Sequence, residues 1–221
     1  MKTKMNRERK RTNILKSAEY KAIQYFCERM PNWVTPNILT AIGFLGSLII
    51  LLGLWLGKEQ RVFLLVSIFG LAVHWFGDSL DGRLAYYRNT PRKWFGFSLD
   101  INVDWTSVCI IALGFYFYFP AYKFVALIFV VAYGGSMIIA LLRYRITNQY
   151  TIDSFYFGPT EMRILLAIVL FLEVFRLGTL LEFGVAGSAL LIVFNLLESH
   201  KLLKQADQKD VAEKLKAVRN L

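Results

Sequence analysis

The chain has 221 residues, of which 56% are hydrophobic, and it carries a formal net charge of +10. Its mean hydropathy of +0.43 is too high for an ordinary soluble domain and indicates an integral membrane protein without room for a second domain. Nucleic-acid binding is excluded as the reason for the positive charge, because the cations flank the hydrophobic segments and form no separate basic domain. Cys27 and Cys109 fall in different environments, so we expect two inert thiols and no disulfide.

The basic N-terminal segment, residues 1–36, precedes the first apolar stretch. Residues 13–30 interleave apolar and charged side chains, which predicts an amphipathic juxtamembrane helix in the plane of the interface. Pro31 ends this helix, Trp33 suits an interfacial anchor, and Pro36 suits the start of the next helix. No signal peptide is expected, because the first apolar stretch comes late and is long enough to span.

Six hydrophobic segments make up the predicted membrane domain, residues 37–198. We expect transmembrane helices at 37–56, 62–80, 97–119, 124–142, 164–175 and 180–197. The fifth segment is short for a span, so we expect its helix to begin at 161–163. A charged C-terminal tail follows at 199–221. The predicted fold class is an all-α integral membrane protein with six transmembrane helices and an N-terminal amphipathic juxtamembrane helix.

The distribution of positive charge predicts the orientation of the bundle. The chain has 26 Lys and Arg residues, and only Lys58, Arg61, Lys123 and Arg176 fall in loops on one side. The other 22 lie in the terminal segments and in the loops of the opposite side. We therefore expect both termini on the cytoplasmic side of a bacterial-type inner membrane or its equivalent. Basic tails at that surface suit anionic lipid headgroups.

Four aspartates lie within or beside the second and third predicted spans: Asp78, Asp81, Asp100 and Asp104. An ionised carboxylate near hydrocarbon costs several kcal/mol unless it is paired, and four together repel one another. The spacings i, i+3 and i, i+4 place each pair on one helix face, so two facing helices would bring four carboxylates into one cytoplasmic pocket. Divalent cations between them would keep them charged, and oxygen ligands suit Mg²⁺, Mn²⁺ or Ca²⁺.

The same segment carries a family resemblance. It reads Asp78-x-x-Asp81-Gly82-x-x-Ala85, and then Gly96-x-x-x-Asp100-x-x-x-Asp104. This resembles the motif of the CDP-alcohol phosphotransferase family, D-x-x-D-G-x-x-A-R followed by G-x-x-x-D-x-x-x-D. Six spans, an N-terminal amphipathic helix and the Thr-Pro-Asn sequence before the first span also look like this family. Two departures stand out: Tyr86 replaces the family's Arg, and the gap before Gly96 is one residue longer than usual.

The resemblance implies roles by position. Two divalent cations, Mg²⁺ or Mn²⁺ with Ca²⁺ as an inhibitory occupant, would be held by the four aspartates, and Asp104 would also be the general base. The donor would lie against Asp78, Asp81, Gly82, Ala85, Gly96 and Asp100. Arg83 or Arg88 would supply the charge that the family's Arg brings to the donor's phosphates.

The reaction that the resemblance implies is transfer of a substituted phosphate from a CDP-linked donor to an alcohol, with release of CMP, in phospholipid synthesis. CDP-diacylglycerol and a small polar alcohol are preferred, because Arg143, Arg145 and Arg163 suit an acceptor phosphate. Alternatively, these three arginines only set the orientation of the helices in the membrane. The alternative reaction uses CDP-choline or CDP-ethanolamine as donor and diacylglycerol as acceptor. The resemblance also implies a homodimer.

Two other functions compete with this one, and two more residues have interpretations of their own. An acid-lined cation transporter or channel is disfavoured, because the acids lie at one membrane face beside glycines and outline no conducting path. A non-catalytic relative that binds nucleotide would explain Tyr86. His74, one turn before Asp78, is interpreted as a packed helix histidine, with support of a metal ligand as the alternative. Glu161 is interpreted as an acid at a helix start.

Overall fold

The computed structural model describes residues 16–147 and 159–219, and these residues form helices joined by short connections. The helices are α1 (Lys16–Arg29), α2 (Pro36–Gly57), α3 (Leu64–Tyr87), α4 (Lys93–Tyr118), α5 (Lys123–Thr147), α6 (Pro159–Phe175) and α7 (Thr179–Arg219), with a short 3₁₀ helix at Arg61–Phe63. The predicted all-α class is confirmed. The basic tail at 1–15, with the start of the predicted amphipathic helix, and the polar stretch before Pro159 lie outside the described residues.

Five candidate membrane spans are found among the described helices. They are Pro36–Gly57, Arg61–Tyr87, Lys93–Tyr118, Lys123–Thr147 and Thr179–Leu215. The predicted fifth span, 164–175, corresponds to α6, which has 17 residues, carries Glu161, Arg163 and Glu173, and is not among the five candidates. At 1.5 Å per residue α6 is about 26 Å long, a little less than the hydrocarbon core of a bilayer. The integral membrane class is therefore supported. Five of the six predicted spans correspond to helices long and apolar enough to cross a membrane.

The position of α6 follows from its contacts at both ends. Near its start, Arg163 pairs with Asp78 in the second half of α3. Near its end, the main-chain carbonyl of Glu173 accepts a hydrogen bond from Arg61 Nη1, just before α3, at 3.4 Å. The helix therefore lies antiparallel to α3 and connects the aspartate end of the bundle with the opposite end.

Close contact between α2 and α3 forms a rigid side of the bundle. A Cβ atom on Gly77 would lie 2.1 Å from the backbone nitrogen of Gly43, and one on Gly46 would lie 2.4 Å from the nitrogen of His74. Glycine at these positions lets the two backbones touch, as is typical of helix pairs in membranes. The second half of α3, which carries Asp78 and Asp81, is therefore held firmly against α2.

Glu173 joins three helices at the end of the bundle opposite the aspartates. Its side chain is fully buried. One carboxylate oxygen accepts from Tyr118 Oη at 2.9 Å and from the amide of Gly178 at 3.1 Å, and the other accepts from the amide of Leu180 at 2.8 Å. These bonds satisfy the buried acid and place its negative charge at the positive start of α7.

The first and last helices both extend the membrane bundle. α1 spans Lys16–Arg29 and buries Ile23 and Cys27 against Leu80 and Leu84 of α3. Its predicted location in the membrane interface stays a prediction. α7 runs without interruption through Glu198 to Arg219, so the predicted C-terminal tail continues the last span as one helix.

Candidate active site

The four predicted aspartates line one cavity between α2, α3 and α4. Asp78 and Asp81 enter it from α3, and Asp100 and Asp104 enter it from α4. The remaining residues that line the cavity are Thr40, Gly43, Phe44, His74 and Val103. The two pairs of carboxylates therefore converge because the helix faces that carry them point toward each other.

Three of the carboxylates approach within the range of a shared cation. Asp78, Asp100 and Asp104 each offer an oxygen atom, and the three atoms lie within 4.8 Å of one another. Like charges at this separation, within helices apolar enough to span a membrane, repel one another strongly unless cations neutralise them. Because the donor set consists of carboxylate oxygens alone, it fits hard divalent cations such as Mg²⁺ or Mn²⁺.

Asp81 is oriented by two hydrogen bonds at the edge of this group. Its Oδ2 accepts from Thr40 Oγ1 at 2.7 Å, and its Oδ1 accepts from the amide of Gly82 at 2.5 Å. Sequence reasoning missed Thr40, since 41 positions separate it from Asp81 and no motif joins the two. Its place in the first turns of α2, facing the end of α3, appears only in the folded bundle.

Arg163 brings a positive charge to the carboxylates. Its Nη2 lies 2.5 Å from Asp78 Oδ2, and the two side chains are only 17% and 21% exposed. A partly buried pair of this kind is shielded from water, so each partner depends on the other for neutralisation. Arg163, one of the three arginines expected at an acceptor phosphate, thus forms an ion pair with one of the four aspartates.

The other two arginines of that predicted group have different surroundings. Arg143 of α5 forms an ion pair with Glu198 of α7, and Glu198 also accepts from Lys201 Nζ at 2.8 Å. Arg145 is exposed near the end of α5. Arg143 therefore contributes to the contact between α5 and α7.

Arg88 donates to the main chain that connects α1 with α2. Its guanidinium reaches four carbonyl oxygens at 2.5 to 3.5 Å, those of Met30, Pro31, Asn32 and Val34. These bonds use the planar fork of the side chain to fasten the connection to the end of α3. The guanidinium is therefore committed to backbone carbonyls, whereas Arg83 is half-buried and lies two residues after Asp81.

The two motif glycines border open space. A Cβ atom placed on Gly82 or on Gly96 would meet no atom of the described residues within 4 Å, whereas one on Gly43 would lie 3.0 Å from the Asp78 nitrogen. Helix packing therefore requires no glycine at positions 82 and 96. The space left there permits a ligand to approach the backbone. Ala85, one turn after Asp81, is half-buried.

His74 and Glu161, which the sequence analysis interpreted, and Asn102 have clear positions in the structure. His74 lines the cavity and is 7% exposed, and its backbone packs against Gly46. Glu161 is buried in the first turn of α6. Asn102, between Asp100 and Asp104 in the sequence, is exposed and donates to the carbonyl of Ser98.

Comparison with known families decides the relationship of this chain. The family model for CDP-alcohol phosphatidyltransferases matches residues 33–196, about three-quarters of the sequence. The chain belongs to the CDP-alcohol phosphatidyltransferase family. The predicted resemblance is thereby confirmed, and the matched range contains all four aspartates. A search of curated proteins finds no match to this chain.

Membership defines the general chemistry of this CDP-alcohol phosphatidyltransferase family protein. The family consists of transferases that take a phosphate group from CDP-alcohols in phospholipid synthesis, and it uses divalent cations. The cluster of Asp78, Asp100 and Asp104 is a site where such cations would fit. Tyr86, which stands where the family motif has Arg, is partly exposed at the end of α3.

Proposed function

We propose that this protein transfers a phosphatidyl group from CDP-diacylglycerol to the hydroxyl of a small polar alcohol and releases CMP. One observation carries the proposal: the four aspartates of the family motif converge in a single cavity at one end of the membrane helices. A soluble alcohol and a lipid-linked nucleotide meet naturally at such a place, because one arrives from water and the other from the bilayer.

The four aspartates would hold two divalent cations, Mg²⁺ or Mn²⁺. Bound cations would neutralise the phosphates of the donor and align the attacking and leaving oxygens. Asp78, Asp100 and Asp104 would supply the central oxygen ligands. Asp81 would act from the edge, where Thr40 and the Gly82 amide already fix its carboxylate.

Asp104 is the proposed general base. It lies one turn beyond Asp100 on α4, so its carboxylate faces the cavity at the level of Asp78. It would accept the proton of the acceptor hydroxyl while that oxygen attacks phosphorus and the bond to CMP breaks. Position matters more than basicity here, because a carboxylate surrounded by positive charge is a weak base.

The nucleotide end of the donor would lie against the open side of the motif. Gly82 and Gly96 leave space around their Cα atoms, and Ala85 extends the same surface by one turn. Arg83 is the residue that we propose for the charge the family's Arg supplies. Arg88 is left out of the proposed donor site, because its guanidinium is bonded to main-chain carbonyls.

Arg163 supports an acceptor that carries a negative charge. Its charge is balanced by Asp78 in the structure. Cations on the aspartates would compete for that carboxylate and leave a partly buried guanidinium in need of another anion. An acceptor phosphate would supply it, and guanidinium groups bind phosphate in a bidentate manner. Arg145, at the nearby end of α5, remains part of this proposal.

The proposed orientation places both termini and the cavity on the cytoplasmic side. It requires an even number of crossings. We propose α6 as the crossing that adds to the five candidate spans, because its contacts connect the two ends of α3. Membrane lipids surround the helices in this arrangement. We also propose a homodimer, which rests on the family relationship.

CMP release by the purified protein in detergent tests the proposed reaction. One arm supplies CDP-diacylglycerol with serine, glycerol 3-phosphate, inositol or inositol 1-phosphate, each with Mg²⁺ or Mn²⁺. We expect metal-dependent CMP release with one acceptor of this panel. A second arm supplies CDP-choline or CDP-ethanolamine with diacylglycerol. CMP release only in the second arm would mean that the lipid is the acceptor and the small alcohol is on the donor. If the folded protein released no CMP in either arm, the proposal would be contradicted.

A further inference from the structure

His74 presents an unused polar atom to the cavity of the aspartates. Its side chain is 7% exposed and lines the cavity together with Asp78 and Asp104. Within residues 16–147 and 159–219, no hydrogen-bond partner reaches its Nδ1 atom. A buried polar atom without a partner costs free energy, so its presence beside an active-site cavity indicates a partner that arrives with a ligand.

The imidazole is attached to the most rigid part of the bundle. The backbone of His74 touches α2 at Gly46, where a Cβ atom would lie only 2.4 Å from the His74 nitrogen. Neither helix can move locally without losing this contact. The Cα–Cβ bond that carries the ring therefore has a fixed place in the cavity wall, and a fixed support of this kind is required of a residue that selects a ligand.

The position of His74 separates it from the reacting centre by one helical turn. It lies four residues before Asp78 on α3, about 6 Å along the helix axis. The candidate cation site consists of Asp78, Asp100 and Asp104, and His74 is not a member of it. The imidazole projects from α3 and Asp104 projects from α4, so we assign His74 to a group of the acceptor other than the hydroxyl held at Asp104.

We infer that His74 hydrogen-bonds a second hydroxyl of the acceptor and thereby selects polyhydroxylated alcohols over those with a single hydroxyl. This inference rests on the proposed function and narrows its acceptor to a polyol. His74 lies one turn before Asp78, and Arg163 is paired with Asp78, so a polyol that also carries a phosphate would satisfy both groups. The unfilled bonding capacity of Nδ1 is used only when such a molecule is bound.

Paired acceptors that differ in one hydroxyl test the inference. We would compare glycerol 3-phosphate with 3-hydroxypropyl phosphate, and inositol 1-phosphate with its deoxy analogues, at saturating CDP-diacylglycerol and Mg²⁺. For the wild type we expect kcat/KM about tenfold higher for the polyol, the effect of one hydrogen bond. In His74→Leu this preference should disappear through a higher KM for the polyol, with kcat changed little. His74→Asn, which keeps a polar atom near the position of Nδ1, should restore most of it.

Ser188→Ala is the matched control for His74→Leu. Leucine would be too large at position 188. Ser188 Oγ is also buried and without a hydrogen-bond partner in the described part of the chain, but it lies on α7 and does not line the cavity. Its removal should leave the preference for polyols unchanged. A melting curve of each variant shows whether it is folded before its kinetics are compared.

Each remaining result contradicts the inference. Equal preference for the polyol in folded His74→Leu and wild type would assign the imidazole to packing. Weaker Mn²⁺ binding with the preference intact would assign it to support of Asp78. A wild type that releases CMP only with serine would show that no second hydroxyl is read. No CMP release from the wild type with any donor would contradict the proposed reaction itself, and this inference with it.

Discussion

At the scale of single residues, the site consists of side chains whose partners are distant in the sequence. Asp78 pairs with Arg163, and Asp81 is oriented by Thr40. Asp104 lies in the shared cluster with Asp78 and Asp100, and proton transfer is the role that we propose for its carboxylate. Under the proposed function, substitution of Arg163 would unbalance a charge, and substitution of Asp104 would remove the proton acceptor. The two changes should therefore cause different defects.

Asp104→Asn should abolish CMP release while the protein still binds a CDP-linked donor. The amide keeps the size of the side chain but accepts no proton, so turnover should fall by a factor of roughly 10² or more. Donor binding can be measured by calorimetry with Mg²⁺ present. Asn102→Ala is the control on the same helix, since Asn102 is exposed and bonds only locally in the described structure. Preserved turnover in Asp104→Asn would remove Asp104 as the base.

Arg163→Met should destabilise the protein in EDTA and less so in Mg²⁺. Without the guanidinium, Asp78 is left as a partly buried, unbalanced charge, at a cost of roughly 1–3 kcal/mol. Added cations would neutralise the carboxylate in its place, so the melting temperature of the variant should rise more with Mg²⁺ than that of the wild type. Arg145→Met, at an exposed position, is the control. Equal melting shifts for both variants would contradict this role of Arg163.

At the scale of helices, α2 and α3 form the platform on which the site is built. Thr35 accepts from the amide of Ile38 at 3.3 Å and Pro36 follows it, so α2 has a defined start near the cavity. Glycines along the contact bring the two backbones together. The location of Asp78 and Asp81 therefore depends on how closely these helices approach.

Gly77→Ala should separate α2 from α3 and weaken both stability and activity. The new methyl group would lie 2.1 Å from a backbone nitrogen of Gly43, a contact that only movement of a whole helix relieves. Overpacking of this kind costs about 1–3 kcal/mol or more. In Gly187→Ala the methyl group meets no described atom within 4 Å, so this variant should melt like the wild type. Equal melting temperatures of the two variants in detergent would show that α2 and α3 tolerate a wider spacing.

Docking of α1 on α3 can be followed through Cys27. The thiol is 2% exposed. Burial raises its pKa above the ordinary value, although the charges of Arg83 and Arg88 oppose the shift. A higher pKa means less thiolate at a given pH, so maleimide should modify Cys27 slowly in the folded protein, and the rate should rise at higher pH than for a free thiol. Rapid modification at pH 7 in a Cys109→Ala background would mean that α1 is not docked.

At the scale of the molecule, the two ends of the bundle have different characters. One end holds the aspartates, and the other holds the buried Glu173 with its bonds to Tyr118 and the start of α7. Between them, large apolar side chains such as Leu127 and Leu190 are exposed on α5 and α7, as expected for helices that face lipid. The bundle thus has buried polar groups at both ends, and its surface between the two ends exposes large apolar side chains.

The proposed orientation predicts opposite labelling of two loops. Glu59 lies in the connection between α2 and α3, and Thr90 lies between α3 and α4, and both are exposed. A membrane-impermeant maleimide added to intact cells should label Glu59→Cys, and labelling of Thr90→Cys should require permeabilised cells. The wild type is the control for labelling of the native thiols. The reverse pattern would place the aspartate cavity on the outer side.

The sequence by itself determined the class, the helices and the four aspartates, because hydrophobic length and the spacing of residues along a helix are local properties. It also carried the family motif, and it placed Asp78 and Asp81 on one face and Asp100 and Asp104 on another. Only the tertiary structure decided which distant groups meet them. Helix packing brings Thr40 to Asp81 and Arg163 to Asp78, and it directs Arg88 to backbone carbonyls. Such contacts depend on the distance and rotation between helices, which are properties of the packed bundle and have no local signal in the chain.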